Sequence, residues 1–164
     1  MEGFKNTGDF EEVGIIRIND APINMIITDP CYKIGTWCTA RLSVKPGDYK
    51  CFVEYYFDKE YNYSYVASME ARHVDSLDIV PTLESDEDIG VDSASCGIYN
   101  LSYYINHSES CKIPIPYGSY YRLTNKGLTC ISGFGDGRYS LYLGYNKQSQ
   151  IVSVKVKFIS FDEK

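Results

Sequence analysis

Along most of this chain apolar and polar residues alternate with a period of two, the mark of half-buried β-strands whose successive side chains point to opposite faces. In residues 39–45, Ala40, Leu42 and Val44 share one face while Thr39, Arg41, Ser43 and Lys45 share the other. Pro46-Gly47-Asp48 then supplies turn chemistry. The alternation resumes over 49–57 through Tyr49, Cys51, Val53, Tyr55 and Phe57, so the two segments are predicted to pair as a hairpin. Residues 63–71 alternate on Tyr63, Tyr65, Ala67, Met69 and Ala71. Residues 139–145 and 151–161, joined by Asn146-Lys147-Gln148-Ser149, predict a second hairpin with Val152, Val154, Val156 and Phe158 on one face. Residues 13–19 and 23–28, around Asp20-Ala21-Pro22, predict a third, in which Pro22 marks an edge.

Helical character is confined to residues 96–105, with Ser93 or Ser95 as N-cap. Tyr99, Asn100, Tyr103 and Tyr104 are poor helix formers, so this element is short. Glu84-Ser85-Asp86-Glu87-Asp88 reads as an acidic turn, and 106–118, with Pro114, Pro116 and Gly118, as a surface connection. No internal repeat interrupts the pattern. Residues 1–164 are therefore predicted to form a single, mainly β, antiparallel domain. A curled sheet, barrel or sandwich is expected, with at most one or two short helices.

Composition narrows the setting. The chain has 164 residues, 44% hydrophobic and 23% charged, enough for one packed core without metal or disulfide staples. Its first ten residues hold no apolar stretch, and no apolar run reaches the roughly 18 residues a spanning helix needs. A cytoplasmic chain with no membrane partner is expected, in the host cell cytoplasm if the chain is phage-encoded. Six cysteines, none in C-x-x-C spacing, are then free thiols, and two histidines give no zinc template. Cys51 and Cys130, in apolar runs, read as small hydrophobes. No cofactor or structural metal is expected. A net charge of −6 argues against direct nucleic-acid binding, which needs clustered Lys and Arg. Sixteen tyrosines are an excess that fits sheet-edge packing with each hydroxyl reaching water, and equally a recognition surface, because Tyr gives large rigid contact area at small entropic cost.

Three stretches share a form: an apolar run, an Asp, then small or turn-forming residues. They are Ile26-Ile27-Thr28-Asp29-Pro30-Cys31-Tyr32, Ile89-Gly90-Val91-Asp92-Ser93-Ala94-Ser95-Cys96-Gly97, and Ile131-Ser132-Gly133-Phe134-Gly135-Asp136-Gly137-Arg138-Tyr139. Gly133, Gly135 and Gly137 permit positive φ and close backbone approach. An Asp in such a turn accepts backbone N–H bonds, and three carboxylates meeting at strand ends with the Cys31 thiol also suit metal-assisted or hydrolytic chemistry. The glycine-rich loop lacks the Lys and Ser/Thr of a phosphate-binding P-loop.

In this order the motifs resemble a family of small phage and bacterial proteins with no assigned activity. The family pattern has DPCY after an early strand, a Trp, VDSG, then SGFGDG-x-Y and a closing hairpin. Here these read Asp29–Tyr32, Trp37, Val91–Ser93, and Ser132–Gly137 with Tyr139, and the resemblance spans about residues 13–161. Ala94 stands where the pattern has Gly; if that Gly carries positive φ, a shifted loop is expected here. Ser149 likewise replaces a common Gly. The resemblance implies a phage or prophage setting and brings no chemistry.

The candidate site is thus Asp29, Cys31, Tyr32, Trp37, Asp92, Ser93, Ser132, Gly135, Asp136 and Tyr139. The favoured function is a phage-type accessory protein acting by binding: an inhibitor of a host defence protein, or a protein that sequesters its ligand. The alternative is a small hydrolase using the clustered aspartates with or without a divalent cation. Homo-oligomerisation through tyrosine faces is a third option.

Overall fold

The computed structural model describes residues 5–78, 81–106, 115–116 and 118–161. Eleven strands among them form two antiparallel sheets packed face to face. The mainly β expectation holds, and of the three packings it is the sandwich, not a closed barrel. Across the larger sheet the order is β1 (Phe10–Ile18), β4 (Gly47–Asp58), β5 (Tyr63–His73), β11 (Ile151–Lys157), β10 (Gly137–Tyr145) and β6 (Thr82–Val91). Across the smaller it is β3 (Ala40–Leu42), β2 (Met25–Thr28), β7 (Ser95–Asn100), β9 (Gly127–Ile131) and β8 (Tyr121–Thr124).

The core is the inward-facing half of the period-two pattern. Ile16, Ile18, Tyr49, Cys51, Val53, Leu141 and Val154 from the larger sheet meet Met25, Ile27, Leu42, Ile98 and Leu128 from the smaller, all buried. Each fully buried Val, Leu or Ile contributes about 1.5–3 kcal/mol of transfer free energy. A satellite cluster of Ile26, Tyr99, Leu101 and Tyr104 lies on the other face of the smaller sheet. It is covered by the single α-helix among the described residues, α1 (Leu101–Asn106).

Two of the three predicted hairpins do not form. β1 and β2 belong to different sheets, as do β3 and β4, so the chain crosses the sandwich at residues 19–24 and again at 43–46. Asn24, 1% exposed, holds both corners. Its Nδ2 donates to the carbonyls of Asn19 and Val44, at 3.1 and 2.8 Å, and its Oδ1 accepts from the Val44 N–H at 2.9 Å. A side chain thus satisfies backbone groups that a hairpin ladder would have paired. The β10–β11 hairpin forms as expected, although a register shift at Gly144/Tyr145 sets Ile151 rather than Val152 against the main core.

Three further expectations are corrected. In β5 the pairing passes from Glu54↔Ser68 to Tyr55↔Val66, leaving Ala67 as a bulge. The alternation inverts there: Met69 and Ala71 face the core, and so does Val66, whereas Tyr63 and Tyr65 turn outward. The predicted helix begins later than Cys96, because 95–100 is strand β7 with Cys96 and Ile98 in the core. Its N-cap is Asn100, whose Oδ1 accepts the Tyr103 N–H at 3.1 Å. The acidic stretch 84–88 is no turn but lies within β6, an edge strand that can keep charge in water. The predicted connection over 106–118 falls largely outside the described residues.

Candidate functional site

The sandwich topology delivers all three aspartate turns to one end. Thr28 at the end of β2 pairs with Gly97, Ser95 at the start of β7 pairs with Ile131 at the end of β9, and Gly137 at the start of β10 pairs with Val91 at the end of β6. The turns following β2, β6 and β9 therefore become neighbours.

Asp29 is the hub. It is 0% exposed, and a buried carboxylate is costly unless its oxygens are satisfied. Four donors reach it. Oδ1 accepts from the Cys31 N–H at 2.8 Å and the Ser93 hydroxyl at 2.7 Å; Oδ2 accepts from the N–H groups of Asp92 and Ser93, both at 2.8 Å. Asp29 thus caps its own turn and clamps the next one. Asp136 makes the third link, its Oδ1 accepting the Ala94 N–H at 2.8 Å, while the Ser132 N–H donates to the Ala94 carbonyl at 3.1 Å. Tyr32 closes the circuit by donating its hydroxyl to Asp92 Oδ2 at 2.9 Å. Partial burial, followed by this bond to a carboxylate, pushes the Tyr32 hydroxyl pKa upward, so it stays protonated and donating.

Ala94 has a φ of +58°, the left-handed conformation a glycine would adopt freely. Ala94 adopts it with its Cβ, and its N–H and C=O are both bound in the circuit above. Ser149 does the same in the closing hairpin, with φ +62°. In the glycine-rich loop Gly133 and Gly135 have positive φ, but Gly137 does not. The space at Gly133 is also needed, since a Cβ there would sit 2.9 Å from Cβ of Phe158.

The remaining candidates divide between support and surface. Ser132 donates its hydroxyl to the Gly135 carbonyl at 2.8 Å, and the Tyr139 hydroxyl also donates to Gly135 O while its ring packs edge-on to Phe158. Both shape the loop from within. Cys31 is exposed at the turn surface. Tyr104, buried in α1, donates to the Tyr32 carbonyl and so holds the first turn from behind; its spacing suggested only a weak helix.

Beside this scaffold lies an open cleft of about 390 Å³ lined by Tyr32, Trp37, Cys38, Gly90, Val91, Asp92, Asp136, Gly137 and Arg138. Trp37 is 72% exposed, with the Arg138 guanidinium carbon 5.1 Å from its ring centroid. The Cys38 carbonyl accepts the Gly90 N–H at 2.9 Å, and a Cβ at Gly90 would lie 2.5 Å from the Cys38 sulfur, so this glycine lets the Trp37 loop seat on β6. Arg138, Cys38 and Gly90 were not among the candidate residues, although Gly90 and Arg138 lie within the second and third motifs. For Arg138 a signal existed: it is the outward residue between Gly137 and Tyr139 of the third motif.

Chemically the cleft offers an aromatic face, one guanidinium, a phenol and two carboxylates. No group of three or more His, Cys, Asp or Glu side chains that could hold a metal occurs among the described residues. Burial pushes the thiols of Cys51, Cys96 and Cys130 upward, which makes them inert hydrophobes at neutral pH. His73 is committed, its Nε2 2.8 Å from the Pro46 carbonyl and its Nδ1 accepting the Asp75 N–H at 3.1 Å. Comparison of the chain with protein-family models, curated proteins and solved structures finds no match.

Proposed function

We propose that this chain is a phage-type accessory protein that works by binding, taking up a host protein segment or a small ligand of host defence in the Trp37 cleft. The observation that carries the reading is the division of labour at the sandwich end. Asp29 spends both oxygens on four internal donors, so it is a structural clamp and not a poised base or nucleophile. Exposed Trp37, with Tyr32 and Arg138 beside it, presents the residue types that anchor recognition. A net charge of −6 fits a basic partner or competition for one. The phage setting rests on the motif resemblance.

The test uses the protein immobilised and exposed to bacterial lysate, in parallel with its Trp37→Ala and Arg138→Ala variants. Retention of a specific partner or metabolite by the parent, lost in both variants at matched folding, is expected. Equal retention by all three, or none at any salt concentration, removes the proposal.

A further inference from the structure

A second cleft, of about 310 Å³, opens on the outer face of the larger sheet and is lined by Arg138, Tyr139, Ser140, Tyr142, Lys157, Phe158 and Ser160. Ser140 and Lys157 lie directly opposite in the β10–β11 ladder, so hydroxyl and ammonium share one face. The Lys157 Nζ sits 5.2 Å from the Tyr142 ring centroid. Among the described residues neither Arg138 nor Lys157 forms an ion pair with a carboxylate; the Arg138 guanidinium lies over the Trp37 ring. The nearby carboxylates lie outside the cleft: Glu84 accepts the Tyr142 hydroxyl at 3.3 Å, and Asp88 faces Ser140 from β6.

We propose that this cleft binds a phosphate group. The Arg138 guanidinium and the Lys157 ammonium line it together with the hydroxyls of Ser140 and Ser160, a donor set that oxyanions select, while the Tyr142 hydroxyl is committed to Glu84. The inference goes beyond the Trp37 reading, because Lys157, Ser140 and Ser160 take no part in that cleft. Arg138 alone lines both. A ligand that carries a planar ring near its phosphate therefore reaches the Trp37 face from here, whereas free phosphate occupies the second cleft only.

Calorimetric titration of the whole protein with inorganic phosphate, and separately with adenosine 5′-monophosphate, tests this. Trp37 is the single tryptophan, so its fluorescence reports on the first cleft. Binding of at least one probe is expected, about tenfold weaker in Lys157→Gln and restored in Lys157→Arg. Equal affinities with unchanged fluorescence identify free phosphate as the ligand; tighter nucleotide binding with a fluorescence change identifies a phosphorylated ring compound. Should Lys157→Gln unfold, Arg138→Gln on the exposed start of β10 is the second variant, with the same loss expected. No heat from either probe, or affinities that both glutamine variants leave unchanged, overturns the proposal. Retention of a partner by Lys157→Gln but not by Trp37→Ala separates failure here from failure of the first cleft.

Discussion

Asp29 places a full negative charge where no water reaches it, and only the density of donors around it makes that tolerable. Replacing it by Asn keeps the size but removes the charge and turns an NH₂ group toward a backbone N–H in either amide orientation, that of Cys31 or those of Asp92 and Ser93. Asp29→Asn should cost ~3 kcal/mol, read as a lower urea midpoint with the slope unchanged. An unaltered midpoint would show that the clamp contributes nothing. Ala94 gives the opposite expectation. Its φ of +58° is unfavourable for an L-residue by about 1–2 kcal/mol, and a Cβ is all that stands between it and a relaxed loop. Ala94→Gly should stabilise by ~1 kcal/mol once the greater freedom of the unfolded glycine is deducted, and raise the melting midpoint by roughly 2–4 °C. A lower midpoint would mean that the backbone here is unstrained.

At the scale of elements, α1 is only six residues long and holds its place by what it covers and what it anchors. Ile26 and Tyr99 on the smaller sheet are closed off by Leu101 and Tyr104, and Tyr104 reaches through to the carbonyl of Tyr32. Tyr104→Phe keeps the ring and leaves that carbonyl without this donor. A loss of ~1–2 kcal/mol is expected, with faster amide exchange at Cys31 and Tyr32 than in the distant β4–β5 pair. Uniform acceleration, or none, would place the anchoring elsewhere. The same scale explains the hairpin failures. β1 and β3 each carry one apolar face, which alternation alone cannot assign to a sheet, and the buried amide of Asn24 satisfies backbone groups at the two corners where the chain crosses over.

For the molecule as a whole, the two sheets share one core into which Cys51, Cys96, Cys130 and Tyr49 are packed. Burial raises all four pKa values, that of Cys51 from 9.0 to about 12 and the others also upward. Each group stays protonated in the folded state at pH values where the unfolded chain ionises. Stability from this source is complete below the ordinary thiol pKa and is lost as pH rises from there toward the folded values. The urea midpoint should therefore fall between about pH 8 and about pH 10.5, and Cys51→Ala should reduce that fall. A midpoint flat across this window would contradict the burial. Thiol alkylation at neutral pH offers an independent check: Cys31 should react in the native protein, and the three buried cysteines only on unfolding.

How much was legible follows from which interactions are local. Period two is a property of neighbours along the chain, so the mainly β class, most strands, the closing hairpin and the burial of Cys51 and Cys130 could be read from the residues themselves, whereas Cys96 reads as part of a helix. Turn-forming residues after apolar runs likewise marked Asp29, Asp92 and Asp136. Sheet membership was not legible, because strands with one apolar face fit either layer of a sandwich. Nor was the bulge at Ala67, which depends on the two N–H groups of Phe158 and Ile159 meeting its carbonyl. The junction of the three turns around one carboxylate is likewise tertiary: Asp29 and Ser93 are 64 residues apart, and only the pairing of β2 with β7 and of β10 with β6 brings donor to acceptor. Residue chemistry thus determined what each turn can bond to, while the sheet order decided which turn it meets.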